Sequence, residues 1–150
     1  MFDLDTLVGQ VRGLQTKVIL LVGPPPAART VMAAYAKQHD APVVSVGAAL
    51  SRQLLAVQKS YRPIEAARIF REIIDNGARN GIALLANLEV LFDCTLELNP
   101  LLLMRQSARH NVLIAQWPGT LQGGRLIYAA VGHSEHKDYE PTGIQLASVA

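Results

Sequence analysis

The chain has 150 residues, of which 50% are hydrophobic and 17% are charged, and its formal net charge is +2. This length and composition indicate one folded domain with a substantial core and exclude an intrinsically disordered protein. The small net charge also excludes a protein that attracts nucleic acid through its overall field alone.

Segments that would direct the chain out of the cytoplasm are not evident in the sequence. The first ten residues, MFDLDTLVGQ, are acidic and mixed, unlike a secretory signal peptide. No apolar run approaches the ~20 residues that a membrane span needs. The sequence contains one cysteine, Cys94, so an internal disulfide is impossible, which suits a reducing compartment. We therefore expect a cytoplasmic protein with no membrane partner.

Hydrophobic periodicity predicts helices and strands that alternate along the chain. The aliphatic runs Val18–Val22 and Ile82–Leu85 are typical of parallel strands buried on both faces. The polar tail from about residue 132 is predicted to be a loop. The pattern predicts an α/β fold, one domain over residues 1–150, with a mostly parallel five-stranded sheet and helices on both faces. Helices are predicted at 3–15, 29–38, 48–58, 63–76 and 100–110, and strands at 18–22, 43–46, 82–85, 112–117 and 126–130.

Residues 17–30, KVILLVGPPPAART, have the layout of a Walker A loop, G-x-x-x-x-G-K-[ST], between a strand and a helix. Gly23 and Thr30 match the motif, whereas Ala28 replaces the second glycine and Arg29 replaces the lysine. Such a loop binds phosphate through backbone N–H groups and the dipole of the following helix. The local motif leaves two alternatives, a nucleotide site and a strand–turn–helix corner that binds no ligand.

A nucleotide site in this loop would differ chemically from the regular one. Pro26 removes a backbone donor, and the planar guanidinium of Arg29 does not take the place of a compact ammonium. The hydroxyl of Thr30 is the candidate magnesium ligand. These substitutions predict weak or absent hydrolysis. The predicted nucleotide-binding residues are Gly23, Pro24, Ala27, Ala28, Arg29 and Thr30.

The third predicted strand, in GIALLANLEVLFD, ends without the acidic residue that holds magnesium in P-loop ATPases. Ala86 occupies the strand end, and Asn87 follows it. Glu89, three residues after Ala86, is the candidate group for activating water. The alternative for Glu89 is an exposed carboxylate near the start of a helix, where the helix dipole favours negative charge.

Several segments, in order along nearly the whole chain, resemble the BrxF family, the small P-loop proteins of type 3 BREX phage-defence systems. This resemblance implies an AAA+-like P-loop core without a helical lid domain, ATP and Mg²⁺ as cofactors, homo-oligomers, and action on DNA with other BREX proteins. The segments are LSRQLLAVQKSYRP at 50–63, LANLEVLFD at 85–93, Asn99-Pro100-Leu101, QWPG at 116–119 and LIYAAVGHSEHKDY at 126–139.

The chain departs from the pattern of this family at two places. The family normally carries Gly-Lys-Thr where this sequence has Ala28-Arg29-Thr30, and Asp-Asn where it has Ala86-Asn87. Both departures affect residues on which ATP hydrolysis depends. The resemblance therefore implies the fold more strongly than the catalysis.

The AAA+-like frame suggests two further catalytic candidates. Gln116, at the end of the fourth predicted strand, resembles a sensor that reads the terminal phosphate; a strand-end amide that caps a loop is the alternative. Arg109, with Arg105 as a weaker choice, resembles an arginine that reaches the nucleotide of a neighbouring subunit. The alternative for these arginines is a solvated helix surface, where cations are favourable near the helix C-terminus.

The segment 50–71 is rich in basic residues and is the predicted DNA-binding surface. Its side chains are of the kind that contact DNA phosphates, and Tyr61 among them could stack on a base. An ordinary solvated helix surface is the alternative. The DNA-binding candidates are Arg52, Lys59, Arg62 and Arg68, and Arg71 lies in the same segment.

Two hypotheses of function follow. In the first, the protein is an ATPase subunit that uses Arg29, Thr30, Glu89, Gln116 and, from a neighbour, Arg109. In the second, it is a non-catalytic adaptor or DNA-binding module that keeps the P-loop fold without binding nucleotide. Arg29 and Ala86 favour the adaptor, whereas Gly23, Thr30 and Glu89 keep the ATPase hypothesis open.

Overall fold

A computed structural model describes residues 3–128 and 137–149 and contains a five-stranded parallel sheet. The strand order is β2-β3-β4-β1-β8, and every pair of neighbours in this sheet is parallel. The predicted α/β class and the mostly parallel five-stranded sheet are confirmed. The strands of the molecule are β1 Val18–Val22, β2 Val43–Ser45, β3 Ile82–Ala86, β4 Val112–Gln116, β5 Thr120–Gln122, β6 Arg125–Tyr128, β7 Lys137–Tyr139 and β8 Gln145–Ser148.

Helices cover both faces of this sheet, as predicted. Successive side chains of β1 point to opposite faces, so Ile19 and Leu21 pack with α1 and α2, whereas Leu20 packs with α3, α4 and α5. This two-sided burial explains why β1 and β3 are continuous apolar runs. The helices are α1 Leu4–Arg12, α2 Pro25–Gln38, α3 Val46–Leu54, α4 Arg62–Gly77 and α5 Pro100–Ser107.

Local capping fixes where several helices begin. The side chains of Asp3, Ser45 and Asn99 accept hydrogen bonds from backbone N–H groups in the first turns of α1, α3 and α5. These bonds satisfy amides that have no partner inside the helix. In the part of the chain that the structure describes, no helix is both long and apolar enough to span a membrane.

The predictions for the C-terminal part of the chain are wrong in two respects. Arg125–Tyr128 does not join the main sheet; it forms β6 in a separate antiparallel sheet, β5-β6-β7, and residues 129–130 of the prediction lie outside the described residues. The tail predicted to be a loop contains β7 and β8. Strand β8 supplies the fifth parallel strand by pairing with β1, with Ile19 opposite Gln145. The sequence of β8 is too short and too polar to show a clear alternation. The strand is placed by its backbone hydrogen bonds to β1.

Several predicted helix bounds also differ from the structure. The helix predicted at 29–38 begins four residues earlier, at Pro25, because proline is well suited to the first turn of a helix. The helices predicted to end at residues 58 and 110 end at Leu54 and Ser107.

An aromatic cluster joins the antiparallel sheet to the main sheet. The ring of Phe92 stacks on Tyr128 at a centroid distance of 3.9 Å and meets Trp117 edge-on at 5.5 Å. Tyr139 contacts both Phe92 and Trp117 at 6.0 Å. The indole Nε1 of Trp117 donates to the Thr120 carbonyl at 3.2 Å. Trp117 is only 4% exposed and belongs to the core.

Candidate functional site

A cleft of about 180 Å³ lies at the carboxyl edge of the parallel sheet, beyond the ends of β1, β3 and β4. Ligands of open α/β sheets bind at this edge. Five sequence-predicted residues line the cleft together, whereas Pro24, Ala27 and Thr30 do not line it. The lining residues are Gly23, Pro25, Ala28, Arg29, Asn87, Glu89, Gln116, Trp117, Pro118 and Gly119.

The segment between β1 and α2 is a short turn rather than an extended phosphate loop. Pro24 caps α2, which starts at Pro25, and the N–H of Ala28 donates to the Pro24 carbonyl at 3.1 Å. The prolines at 24, 25 and 26 have no N–H. Of residues 24–28, Ala27 therefore carries the one backbone donor outside the helical pattern. A Walker A loop instead aims several N–H groups at the phosphates.

Gly23 has a packing role that does not involve a ligand. Its φ is +150°, and a Cβ at this position would overlap the carbonyl oxygen of Val149. The N–H of Val149 donates to the Val22 carbonyl at 2.8 Å, so the end of β8 lies directly against the turn after β1. The close approach of Val149 is enough to require glycine at this position.

The two side chains predicted to hold phosphate and magnesium are placed differently. Arg29 is exposed and lines the cleft, and its side chain makes no hydrogen bond or ion pair with any described residue. The hydroxyl of Thr30 donates to the Pro26 carbonyl at 3.0 Å, within its own helix. Ala86 at the end of β3 offers no carboxylate. This donor set does not fit a magnesium ion held between the phosphate loop and the third strand.

The chain turns sharply after β3, where Asn87 adopts a left-handed conformation with φ of 57°. The side-chain amide of Asn87 donates to the Ser45 hydroxyl at 2.8 Å and links the ends of β3 and β2. Glu89 follows in a short 3-10 helix, Leu88–Phe92, and points an exposed carboxylate into the cleft. Sequence reasoning did not assign Asn87 to the site, although the first polar residue after a buried strand is a usable signal.

Gln116 and the residues after it form the remaining wall of the cleft. Gln116 ends β4, pairs in register with Leu21 and is half-buried. The chain then passes Trp117 and Pro118 to Gly119, where a Cβ would overlap the carbonyl oxygen of Ile127. The antiparallel sheet therefore packs directly against this wall of the cleft.

Arg109 lies at the opposite, amino edge of the sheet. It follows α5, precedes β4 and lines a cleft with Lys17, which precedes β1. Within one chain the structure therefore does not bring Arg109 together with Glu89 and Gln116. An arginine-finger role would require a second copy of the chain. The guanidinium of Arg105 donates to the Glu140 and Thr142 carbonyls at 3.2 Å and 2.8 Å.

Two of the four predicted DNA-binding residues already have partners within the chain. Arg68 forms ion pairs with Glu65 and Glu72, the latter at 2.6 Å, and its hydrogen bond to Glu65 is the main cause of the raised pKa of Arg68. The Nε of Arg62 donates to the Val57 carbonyl at 3.0 Å. The side chains of Arg52 and Lys59 are exposed and, among the described residues, make no hydrogen bond or ion pair.

Comparison with known proteins identifies no relative of this chain. No protein-family model, curated protein or solved structure matches the chain.

Proposed function

We propose that this protein is a non-hydrolysing adaptor of a BREX phage-defence system, with an AAA+-like P-loop core that no longer turns over ATP. The observation that carries the proposal is the start of α2 at Pro25, immediately after the Gly23–Pro24 turn. The BREX context rests on the resemblance of the segments 50–63, 85–93 and 126–139 to the BrxF family.

The chemistry of phosphoryl transfer explains why the start of α2 matters. Catalysis in P-loop enzymes is almost entirely positioning and electrostatic stabilisation of the phosphoryl group. Three consecutive prolines leave the Ala27 N–H as the one available amide of residues 24–28. Ala86 cannot bind a metal, and the Thr30 hydroxyl is engaged within α2. The backbone donors and the metal ligands that would neutralise the developing charge are therefore lost together, and Arg29 remains as a cation at the cleft.

A second candidate function is the binding of a phosphate-bearing ligand without its hydrolysis. The observation that favours it is the convergence of Gly23, Arg29 and Gln116 on one cleft. A volume of about 180 Å³ suits an anion of phosphate size, since clefts for drug-sized ligands are usually ~300 to 1,000 Å³. The Glu89 carboxylate lines the same cleft and repels an anion, so we expect the affinity to be low.

An ATP turnover assay, with the Glu89→Gln variant beside the wild type, tests the adaptor proposal. We expect the wild type to release no more phosphate than Glu89→Gln, because the positioning groups are missing. Turnover by the wild type that the variant loses would overturn the proposal.

Calorimetric titration with ATP and magnesium, and separately with pyrophosphate, tests the second candidate. Micromolar binding that Arg29→Ala abolishes would support phosphate binding in the cleft. No heat with either ligand would contradict it and leave the adaptor function alone. A Lys37→Ala variant is the control, because Lys37 is exposed on α2 and does not line the cleft.

A further inference from the structure

Two adjoining clefts lie on the amino side of the molecule, away from the candidate site. The first measures about 410 Å³ and is lined by Gln15, Thr16, Lys17, Arg105, Gln106 and Arg109. The second measures about 420 Å³ and is lined by Arg71, Gln106 and Arg109. Because they share Gln106 and Arg109, the two clefts form one continuous surface, which we call the amino-edge surface.

The charged side chains of the amino-edge surface are all cationic. No carboxylate lines either cleft. The side chains of Arg71 and Arg109 are exposed and make no hydrogen bond or ion pair within residues 3–128 and 137–149. Glu72, the neighbour of Arg71 along the chain, pairs with Arg68 instead. Two full positive charges are therefore available on this surface without a compensating group in the described chain.

The other two cations keep part of their donor capacity. The Nζ of Lys17 donates to the Leu14 carbonyl at 2.8 Å, and an ammonium has two further donors. The Arg105 guanidinium is held by the Glu140 and Thr142 carbonyls, while its Nε is buried without an acceptor in the described part of the chain. Lys17 and Arg105 are thus oriented by the main chain before any ligand arrives.

Compensation of helix C-termini does not account for the whole set. Cations near the end of α5 do interact favourably with its carbonyl groups, which explains Arg105. Arg71, however, lies in the middle of α4, which spans Arg62–Gly77. Capping of a helix C-terminus therefore does not explain the position of Arg71.

We propose that the amino-edge surface binds the phosphodiester backbone of a nucleic acid. Several cations spread over two joined clefts, with the neutral hydrogen-bonding groups of Gln15, Thr16 and Gln106 between them, suit a chain of phosphates and sugars. A single phosphate ion would engage only part of this surface. The inference extends the proposed adaptor function by placing its DNA contact at Arg71 and Arg109 rather than at Arg52, Lys59, Arg62 and Arg68.

Fluorescence anisotropy of a labelled DNA, as a short duplex and as a single strand, tests this inference on the full chain. The variant is Arg71→Gln/Arg109→Gln, which removes two exposed charges without a partner in the described chain. We expect its affinity to fall roughly tenfold or more, and the slope of log K against log salt to flatten by about 2. The matched control Lys37→Gln/Lys137→Gln removes the same charge from exposed positions outside both clefts.

Three results would overturn the inference. The first is no binding of either DNA at roughly 50 mM salt. The second is an equal loss of affinity in the control variant, which would assign binding to overall charge. The third is displacement of DNA by polyglutamate at the same charge concentration, which would identify an acidic protein as the partner. Circular dichroism of every variant verifies the fold, and ATP turnover is measured separately, so either proposal can fail without the other.

Discussion

The two edges of the parallel sheet carry different amounts of charge and offer different amounts of space. At the carboxyl edge, Arg29 shares a cleft of about 180 Å³ with the Glu89 carboxylate. At the amino edge, clefts of about 410 Å³ and 420 Å³ are lined by four cations and by no carboxylate. Open α/β sheets usually bind their ligands at the carboxyl edge. In this protein the groups suited to a polyanion lie at the other edge.

The fold of this chain does not depend on a ligand at the carboxyl edge. The α/β frame depends on the aliphatic strands, which need no ligand. Even Gly23, the most motif-like residue of the carboxyl edge, is required by its contact with Val149. A residue that matches a motif can therefore be required for packing alone.

The largest effect is expected from Phe92→Ala, which removes the centre of the aromatic cluster beside the carboxyl edge. Truncation of a buried phenylalanine costs about 3 to 5 kcal/mol of unfolding free energy. Urea denaturation measures this loss, and Leu55→Ala is the control because Leu55 is 78% exposed.

The same variant tests whether the two edges act independently. While Phe92→Ala remains folded, its affinity for DNA should match that of the wild type, because no residue of the aromatic cluster lines the amino-edge surface. A parallel fall of DNA affinity in the folded variant would show that the edges are coupled.

Gly23→Ala should destabilise the protein by about 2 to 3 kcal/mol. The new Cβ would overlap the Val149 carbonyl oxygen, and the residue has a φ of +150°. Gly9→Ala is the matched control, since nothing lies within 4 Å of a Cβ there and Gly9 is inside α1, where alanine is favoured by up to ~1 kcal/mol. Thermal melts compare the two. A neutral Gly23→Ala would show that the end of β8 does not press on the turn after β1.

Arg68 and Arg71 are three residues apart on α4, yet they should contribute unequally to DNA binding. Arg68 is neutralised by Glu65 and Glu72, whereas Arg71 has no such partner in the described chain. We expect Arg71→Gln to weaken DNA binding roughly fivefold and Arg68→Gln by less than about twofold. Anisotropy at low salt measures both. Equal losses would place DNA on the wider basic segment 50–71 instead.

The sequence predicted the frame of the fold well because burial dictates it. Val18–Val22 and Ile82–Leu85 are buried on both faces, and such strands leave a continuous apolar run. Strand β8 could not be predicted in this way, since Gln145–Ser148 lies at the edge of the sheet and alternates weakly. The antiparallel sheet was missed for a related reason, because its three short strands depend on contacts with Phe92 and Trp117.

The candidate site was predicted in part. Gly23, Arg29, Glu89 and Gln116 follow strands whose ends meet at one edge, and the structure places them in one cleft. The sequence did not reveal that α2 begins as early as Pro25. The three prolines fit the variable positions of a Walker A loop, and prolines also fit the first turn of a helix. The amino-edge surface was missed because its cations come from four separate segments.

The smallest effect concerns alkaline pH and compares Tyr139 of the aromatic cluster with Tyr35 on α2. Burial raises the pKa of Tyr139 in the aromatic cluster, and burial, followed by the Asp5 carboxylate, raises the pKa of Tyr35 on α2. The folded protein then keeps these phenol protons at a pH where the unfolded chain releases them, so the unfolding free energy is unaffected below about pH 10 and falls as pH rises above it. Tyr139→Phe and Tyr35→Phe should each reduce the steepness of this fall. Urea midpoints measured from about pH 8 to pH 11 give the two contributions separately.

If only Tyr139→Phe flattens the curve, alkaline destabilisation begins at the aromatic cluster, and the packing between α1 and α2 tolerates the ionisation. If neither variant changes the slope, the tyrosines ionise alike in the folded and unfolded chains, and the raised pKa values are contradicted.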